Sequence, residues 1–207
     1  MNSVANNYNR KKIVFSHGKG IYLFTNDGEK YIDLAAGIAV NLLGHSNRDL
    51  INALNVQSRK LWHVSNLYEI EEQVTLADKL TSCSFAHKVF FCNSGTEANE
   101  AAFKISRKWG IFNNKKTIIS FTGGFHGRTF GSLTATWPKK YKEGFYPLVP
   151  GFKTAEFNNI KSLGFFNRLL FFILFCWLYN KKFLRGLPLF FFIFYPSLVL
   201  YTSLSLR

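Results

Sequence analysis

The stretch Asn93-Ser94-Gly95-Thr96-Glu97-Ala98-Asn99-Glu100 joins an apolar strand-like run, Lys88 to Cys92, to a helix-like run beginning near Thr96. A strand that turns through small residues straight into a helix restricts both topology and chemistry. The first backbone N–H groups of a helix have no internal partner. With the helix dipole and the hydroxyls of Ser94 and Thr96, they can hold a phosphate. Gly95 lets the backbone approach such a ligand closely. Taken alone, Ser94-Gly95-Thr96 also fits a helix start that is merely capped.

Further along, Thr117 to Phe121 reads as a second buried strand, followed by Thr122-Gly123-Gly124-Phe125-His126-Gly127-Arg128. Strand, helix, strand in that order implies a right-handed βαβ crossover. Both strand-end loops then lie side by side at the carboxyl edge of a parallel sheet. One loop offers phosphate contacts; the other offers an aromatic face and a guanidinium. Alone, Phe125 reads as packing and Arg128 as a solvated charge. Ala98, Ala101, Ala102, Ile105 and Trp109 recur at helical spacing as a core face. Glu97 and Glu100 read as first-turn acids that stabilise the helix. His126 with Ser94 raises a hydrolase reading, but the Gly-x-Ser-x-Gly elbow is absent.

Upstream, Met1 to Lys12 is polar and reads as a mobile arm. Gly20 to Leu34 predicts a hairpin turning at Asn26-Asp27-Gly28, because an Asp-Gly pair between apolar runs favours a tight turn. Ser46 or Asn47 can cap a helix whose Leu50, Ile51 and Leu54 face a core. A second helix is predicted over Glu69 to Ser82, with Val74, Ala77 and Leu80 inward.

These residues resemble the class III pyridoxal-phosphate aminotransferases, most closely the acetylornithine aminotransferase branch. Besides Asn93 to Asn99 and Phe125-His126-Gly127-Arg128, the resemblance rests on Gly18-Lys19-Gly20, Asp33 to Val40, Gly44-His45 and Leu61 to Asn66, and it runs from Val14 to Leu163. It implies an α/β chain of the PLP-dependent transferase fold type I, with its large domain incomplete. It further implies that Gly95 and Thr96, with Ser94 adjacent, bind the phosphate of pyridoxal 5'-phosphate. Phe125 would stack on the pyridine ring and Arg128 would pair with the substrate α-carboxylate. The implied reaction moves the δ-amino group of N-acetylornithine, or of a related ω-amino acid, to 2-oxoglutarate in arginine or lysine biosynthesis. Substrates are a small amino donor and a 2-oxo acid, and the family forms homodimers with active sites at the subunit interface.

The resemblance also implies a chain of roughly twice this length. In the family the Schiff-base lysine, and an aspartate at the pyridine nitrogen, come from later strands of the large domain. Here no aspartate follows Asp78, and none of Lys139, Lys140, Lys142, Lys153, Lys161, Lys181 or Lys182 follows a suitable strand. The expectation is a fragment that is inactive as it stands.

All 12 acidic residues lie at or before Glu156, and from Gly164 to Arg207 the text is mainly Phe, Leu, Ile, Tyr, Asn, Lys and Arg. The sequence therefore divides into an arm (1–12), a family segment (13–163) and a hydrophobic, basic, non-family tail (164–207). Out-of-frame translation of A/T-rich codons accounts for such a composition. A membrane hairpin over Leu169 to Tyr179 and Leu187 to Tyr201 is a second account, although spanning needs about 20 apolar residues. A buried core element is a third.

Net charge is +14, but the basic residues are scattered and no nucleic-acid motif accompanies them, so nucleic acid is not an expected partner. Cys83, Cys92 and Cys176 lack metal-ligand spacing, and the five histidines are spread along the chain. The expected location is cytoplasmic, with membrane association only through the tail. A small membrane-associated protein and a phosphate- or PLP-binding module without catalysis are the alternative functions.

Overall fold

A computed structural model describes residues 3–112, 115–164, 172–173 and 190–194. They fall into two units, Met1–Ile70 and Glu71–Arg207.

In the first unit β1 (Phe15–Lys19), β2 (Tyr22–Thr25) and β3 (Lys30–Ile32) form an antiparallel sheet in that order. The predicted hairpin is β2–β3, with Phe24 opposite Lys30 and Tyr22 opposite Ile32. Its turn closes where Gly28, at φ +88°, donates its N–H to the Thr25 carbonyl at 3.2 Å. Strand β1 was not predicted, since Phe-Ser-His-Gly-Lys carries no clear alternation.

Beyond the sheet, α1 (Ala36–Ala39) is one turn of left-handed backbone, with φ near +60° at Gly37, Ile38 and Ala39. The Asp33 carboxylate accepts from the Ala36 N–H at 2.8 Å and meets His45 Nε2 at 2.8 Å. The hydrogen bond from His45, opposed by burial and assisted by the Ala36 amide, holds the Asp33 carboxyl below its ordinary range. His45 packs where a Cβ on Gly18 would sit, and its backbone exchanges two hydrogen bonds with Gly20. The separated stretches Gly18–Gly20, Asp33 and Gly44-His45 thus form one corner.

Asn47 caps α2 (Arg48–Ser58), accepting from the N–H groups of Asp49 and Leu50. Ser46 instead donates to the Gly18 carbonyl at 2.7 Å. Leu50, Ile51 and Leu54, expected to face a core, are 54%, 45% and 63% exposed. The amphipathic stripe is present, but nothing described in this unit covers it.

The second unit opens with α3 (Glu71–Ser82), which buries Leu80 while Val74 stays exposed. Strand β4 (Lys88–Cys92) leads into α4 (Gly95–Phe112), and β5 (Ile118–Phe121) follows. All four residues of β5 are buried. It is the middle strand of a parallel sheet between β6 (Phe152–Ala155) and β7 (Phe172–Ile173). Alternation along β5 sends Ile118 toward Phe103 and Ala135, and Ile119 with Phe121 toward Ala155 and Leu163. The Phe103 and Phe152 rings meet edge to face at 5.0 Å.

Two expectations need correction. Strands β4 and β5 lie in different sheets, for β4 pairs in parallel with β8 (Phe190–Phe194). Sequence neighbours joined by a helix need not be sheet neighbours. On α4 the buried residues are Ala98, Phe103, Ser106 and Gly110, whereas Ile105 is exposed. Ala98, Ala102, Ser106 and Gly110 form one i, i+4 row of small side chains, which lets the helix backbone approach its neighbours.

Short helices α5 (Phe130–Ala135) and α6 (Ile160–Gly164) complete the described elements, with a 3₁₀ turn at Lys139–Tyr141. Among the described residues no helix is long and apolar enough to cross a membrane. Apart from the backbone of β7 and β8, the stretches Leu169 to Tyr179 and Leu187 to Tyr201 lie outside the described residues, and the tail readings lie there with them.

Candidate functional site

The turn after β4 is built as a cap. Ser94 Oγ accepts from the Glu97 N–H at 3.3 Å, and the Glu97 carboxylate accepts from the Asn93 N–H at 2.6 Å. This is close to a capping box, displaced by one residue. It confirms Glu97 as a helix-stabilising acid and commits the Ser94 oxygen to the helix. The remaining first-turn donors are the amides of Gly95 and Thr96, which by helix geometry lack an intrahelical acceptor.

The loop after β5 comes to these residues although β4 and β5 are not paired. Arg128 donates its backbone N–H to Thr96 Oγ1 at 3.2 Å, and Ser132 Oγ donates to the Thr96 carbonyl at 3.3 Å. One turn along α4, Asn99 Nδ2 donates to the His126 carbonyl at 2.7 Å. The Glu100 carboxylate accepts from the Ser132 N–H at 2.9 Å and from the Thr129 hydroxyl. Close approach demands glycine at Gly127, and at Gly131 a side chain would displace the Glu100 carboxylate. A Cβ on Gly127, at φ +129°, would overlap Thr96 Oγ1, and one on Gly131 would lie 2.6 Å from the Glu100 carboxylate oxygens.

Phe125 is half-exposed, edge to face with Tyr141 at 5.9 Å, and the Arg128 guanidinium lies 5.8 Å from its ring centre. Arg128 itself is exposed. His126 points the other way: it is 3% exposed, its backbone N–H donates to Thr136 Oγ1 at 2.9 Å, and neither ring nitrogen has a hydrogen-bond partner among the described residues. Burial, and secondarily the charge of Lys142, pulls its pKa down to about 4, so the ring is neutral near pH 7. Lys142 Nζ donates to the Thr134 carbonyl at 2.9 Å, and burial lowers its own pKa.

Thr96, Arg128 and Phe125 are therefore linked in sequence through space, with Gly95 beside Thr96 and Ser94 behind it as cap. Sequence reasoning missed the loop-holding roles of Asn99 and Glu100. Their positions three and four residues after Thr96 put all three on one helix face, and that spacing was the available signal. The donor set fits a phosphate ester at the α4 start, and Phe125 and Arg128 offer an aromatic surface and a planar cation beside it.

A parallel-stranded α/β unit with an anion-binding helix start and an adjoining aromatic and arginine loop describes the phosphate-binding part of a fold type I transferase. Residues 3–167 match the family described as aminotransferase class-III, and the chain belongs to that family. It is 48% identical over 161 residues to the acetylornithine aminotransferase of Xanthomonas axonopodis pv. citri, covering 75% of this chain and 40% of that protein. Among solved structures it resembles the N-acetylornithine aminotransferase of Stenotrophomonas maltophilia, at 36% identity and TM-score 0.63, over 78% of this chain and 40% of that one. It also resembles an ornithine aminotransferase of Toxoplasma gondii with partial occupancy of PLP at its active site, at 25% identity and TM-score 0.73, over 78% of this chain and 39% of that one. The chain thus spans about two-fifths of the length of the curated relatives it matches.

Proposed function

We propose that this chain carries the cofactor-phosphate and substrate-carboxylate part of an acetylornithine-type aminotransferase site. The observation that carries the reading is the hydrogen bond from the Arg128 N–H to Thr96 Oγ1, which ties the arginine loop to the helix start. In this reading the Gly95 and Thr96 amides and the Thr96 hydroxyl hold the phosphate of pyridoxal 5'-phosphate, with Ser94 fixing the turn. Phe125 lies against the pyridine ring. Arg128 takes the α-carboxylate of the amino donor, then that of the 2-oxo acid, in a bidentate pair. The cofactor supplies the electron sink for amino transfer. The donor is N-acetylornithine or a related ω-amino acid, and the acceptor is 2-oxoglutarate.

Proton transfer at the substrate carbon requires the cofactor-bearing lysine, and no residue from Thr129 to Arg207 is assigned that role. The covalent step then falls to the part of the family's length this chain does not span. On this reading the 207 residues alone bind cofactor without transaminating. A homodimer and a cytoplasmic location belong to the same proposal.

Titrating the chain with pyridoxal 5'-phosphate, with and without borohydride, tests this. The expected result is a saturable absorbance change and no reduced adduct on any lysine. A stoichiometric adduct mapped to one lysine overturns the non-covalent reading.

A further inference from the structure

Three residues on one face of α4 grip the loop that carries Arg128. Thr96 Oγ1 accepts from the Arg128 N–H, Asn99 Nδ2 donates to the His126 carbonyl, and the Glu100 carboxylate accepts from the Ser132 N–H and the Thr129 hydroxyl. The grip brackets Arg128 on both sides, and Gly127 and Gly131 have no side chain where the two segments touch.

We propose that Asn99 and Glu100 are positioning residues for Arg128, and that a phosphate bound at the α4 start is felt at Arg128 through the Thr96 hydroxyl. This rests on the phosphate-site reading above. A hydroxyl carries one proton and two acceptor lone pairs. Thr96 Oγ1 uses a lone pair for the Arg128 amide, so its proton remains to be given to a phosphate oxygen. Donating that proton polarises the hydroxyl and strengthens it as acceptor for Arg128, as in any chain of hydrogen bonds. Glu100 makes the coupling effective by pinning Thr129 and the start of α5. Loop motion then cannot absorb the change at Thr96. The helix thereby serves cofactor and substrate ends together: an occupied phosphate site holds the arginine ready for a carboxylate.

Hydrogen exchange of the 207-residue chain with inorganic phosphate as probe tests the coupling. Phosphate is expected to slow exchange several-fold at Gly95 to Glu97 and, with the same half-saturation, at Gly127 to Ser132. Glu100→Ala is expected to keep the helix response and lose the loop response, and Glu100→Gln, which retains an acceptor oxygen, to regain it. Thr129→Val, which leaves α4 intact, should weaken the loop response and carries the test if Glu100→Ala does not fold by circular dichroism. Thr96→Val should abolish it while some helix protection persists at higher phosphate. A loop response unchanged in these variants, or absent in the parent chain while the helix responds, overturns the coupling. If neither segment responds, the phosphate-site reading itself falls and takes the coupling with it.

Discussion

A neutral imidazole buried in the loop that carries Arg128 has a pH signature. His126 titrates near 4 in the folded chain against 6.5 for an ordinary histidine, so the unfolded chain takes up the proton first as pH falls. Stability should therefore decline as pH drops from about 6.5 toward 4, by roughly 3 kcal/mol at most. Urea titrations across that window should show the decline, and His126→Gln should flatten it; an unchanged slope would assign the acid sensitivity elsewhere. Asp33 acts in the same sense at lower pH. Its carboxyl is held below the ordinary range, so its support of the Gly18–His45 corner is complete above the unfolded value and is lost as pH falls through the folded one. Asp33→Asn should speed exchange of the Gly20 and His45 amides at pH 7, and the difference should shrink as pH falls below the ordinary carboxylate range and through the folded value. At Gly127 an added methyl meets Thr96 Oγ1 at a left-handed φ. Gly127→Ala should cost about 2 kcal/mol or more, or detach the loop. Phe125 and Arg128 stood out only through the family resemblance, since alone a ring reads as packing and a guanidinium as a solvated charge; the structure brings the two within 5.8 Å of each other in one loop. Glu100 did not stand out, since its partners Thr129 and Ser132 lie a whole strand away in sequence.

At the scale of elements, α4 was legible from its start as far as Trp109, and its contact face was not. Apolar periodicity favoured Ile105 and Trp109, but Ser106 and Gly110 lie deeper because close approach selects small side chains over large apolar ones. The buried strand Ile118–Phe121 was legible as a strand and lies in a parallel sheet as the strand-helix-strand order suggested, but its neighbours are β6 and β7 and not β4, because pairing depends on residues far along the chain. The α4 start depends on its cap more than on propensity. Ser94→Ala should cost about 1 kcal/mol of stability by chemical denaturation. No change on removing it would mean that the Glu97 carboxylate alone sets the helix start.

For the whole molecule, family membership covers residues 3–167, and much apolar surface there remains open. Leu34, Ile38, Trp62 and Leu67 are each more than 80% exposed, alongside the open stripe of α2. Faces of this kind are stable only when covered. The chain spans about two-fifths of the length of its curated relatives. The chain by itself is expected to self-associate and bind a hydrophobic dye, and co-expression with the remaining portion of a relative should reduce both. Sedimentation showing a dye-silent monomer of the chain alone would contradict this.

The most direct test of the central claim compares calorimetric titrations of the chain with pyridoxamine 5'-phosphate and with pyridoxamine, neither of which needs a lysine to bind. The account predicts saturable binding of the phosphorylated form at least about tenfold tighter than the other, a difference of about 1.4 kcal/mol, with the preference lost in Thr96→Val. Equal affinities, or no saturation by either, would contradict the assignment of the α4 start as the cofactor-phosphate site.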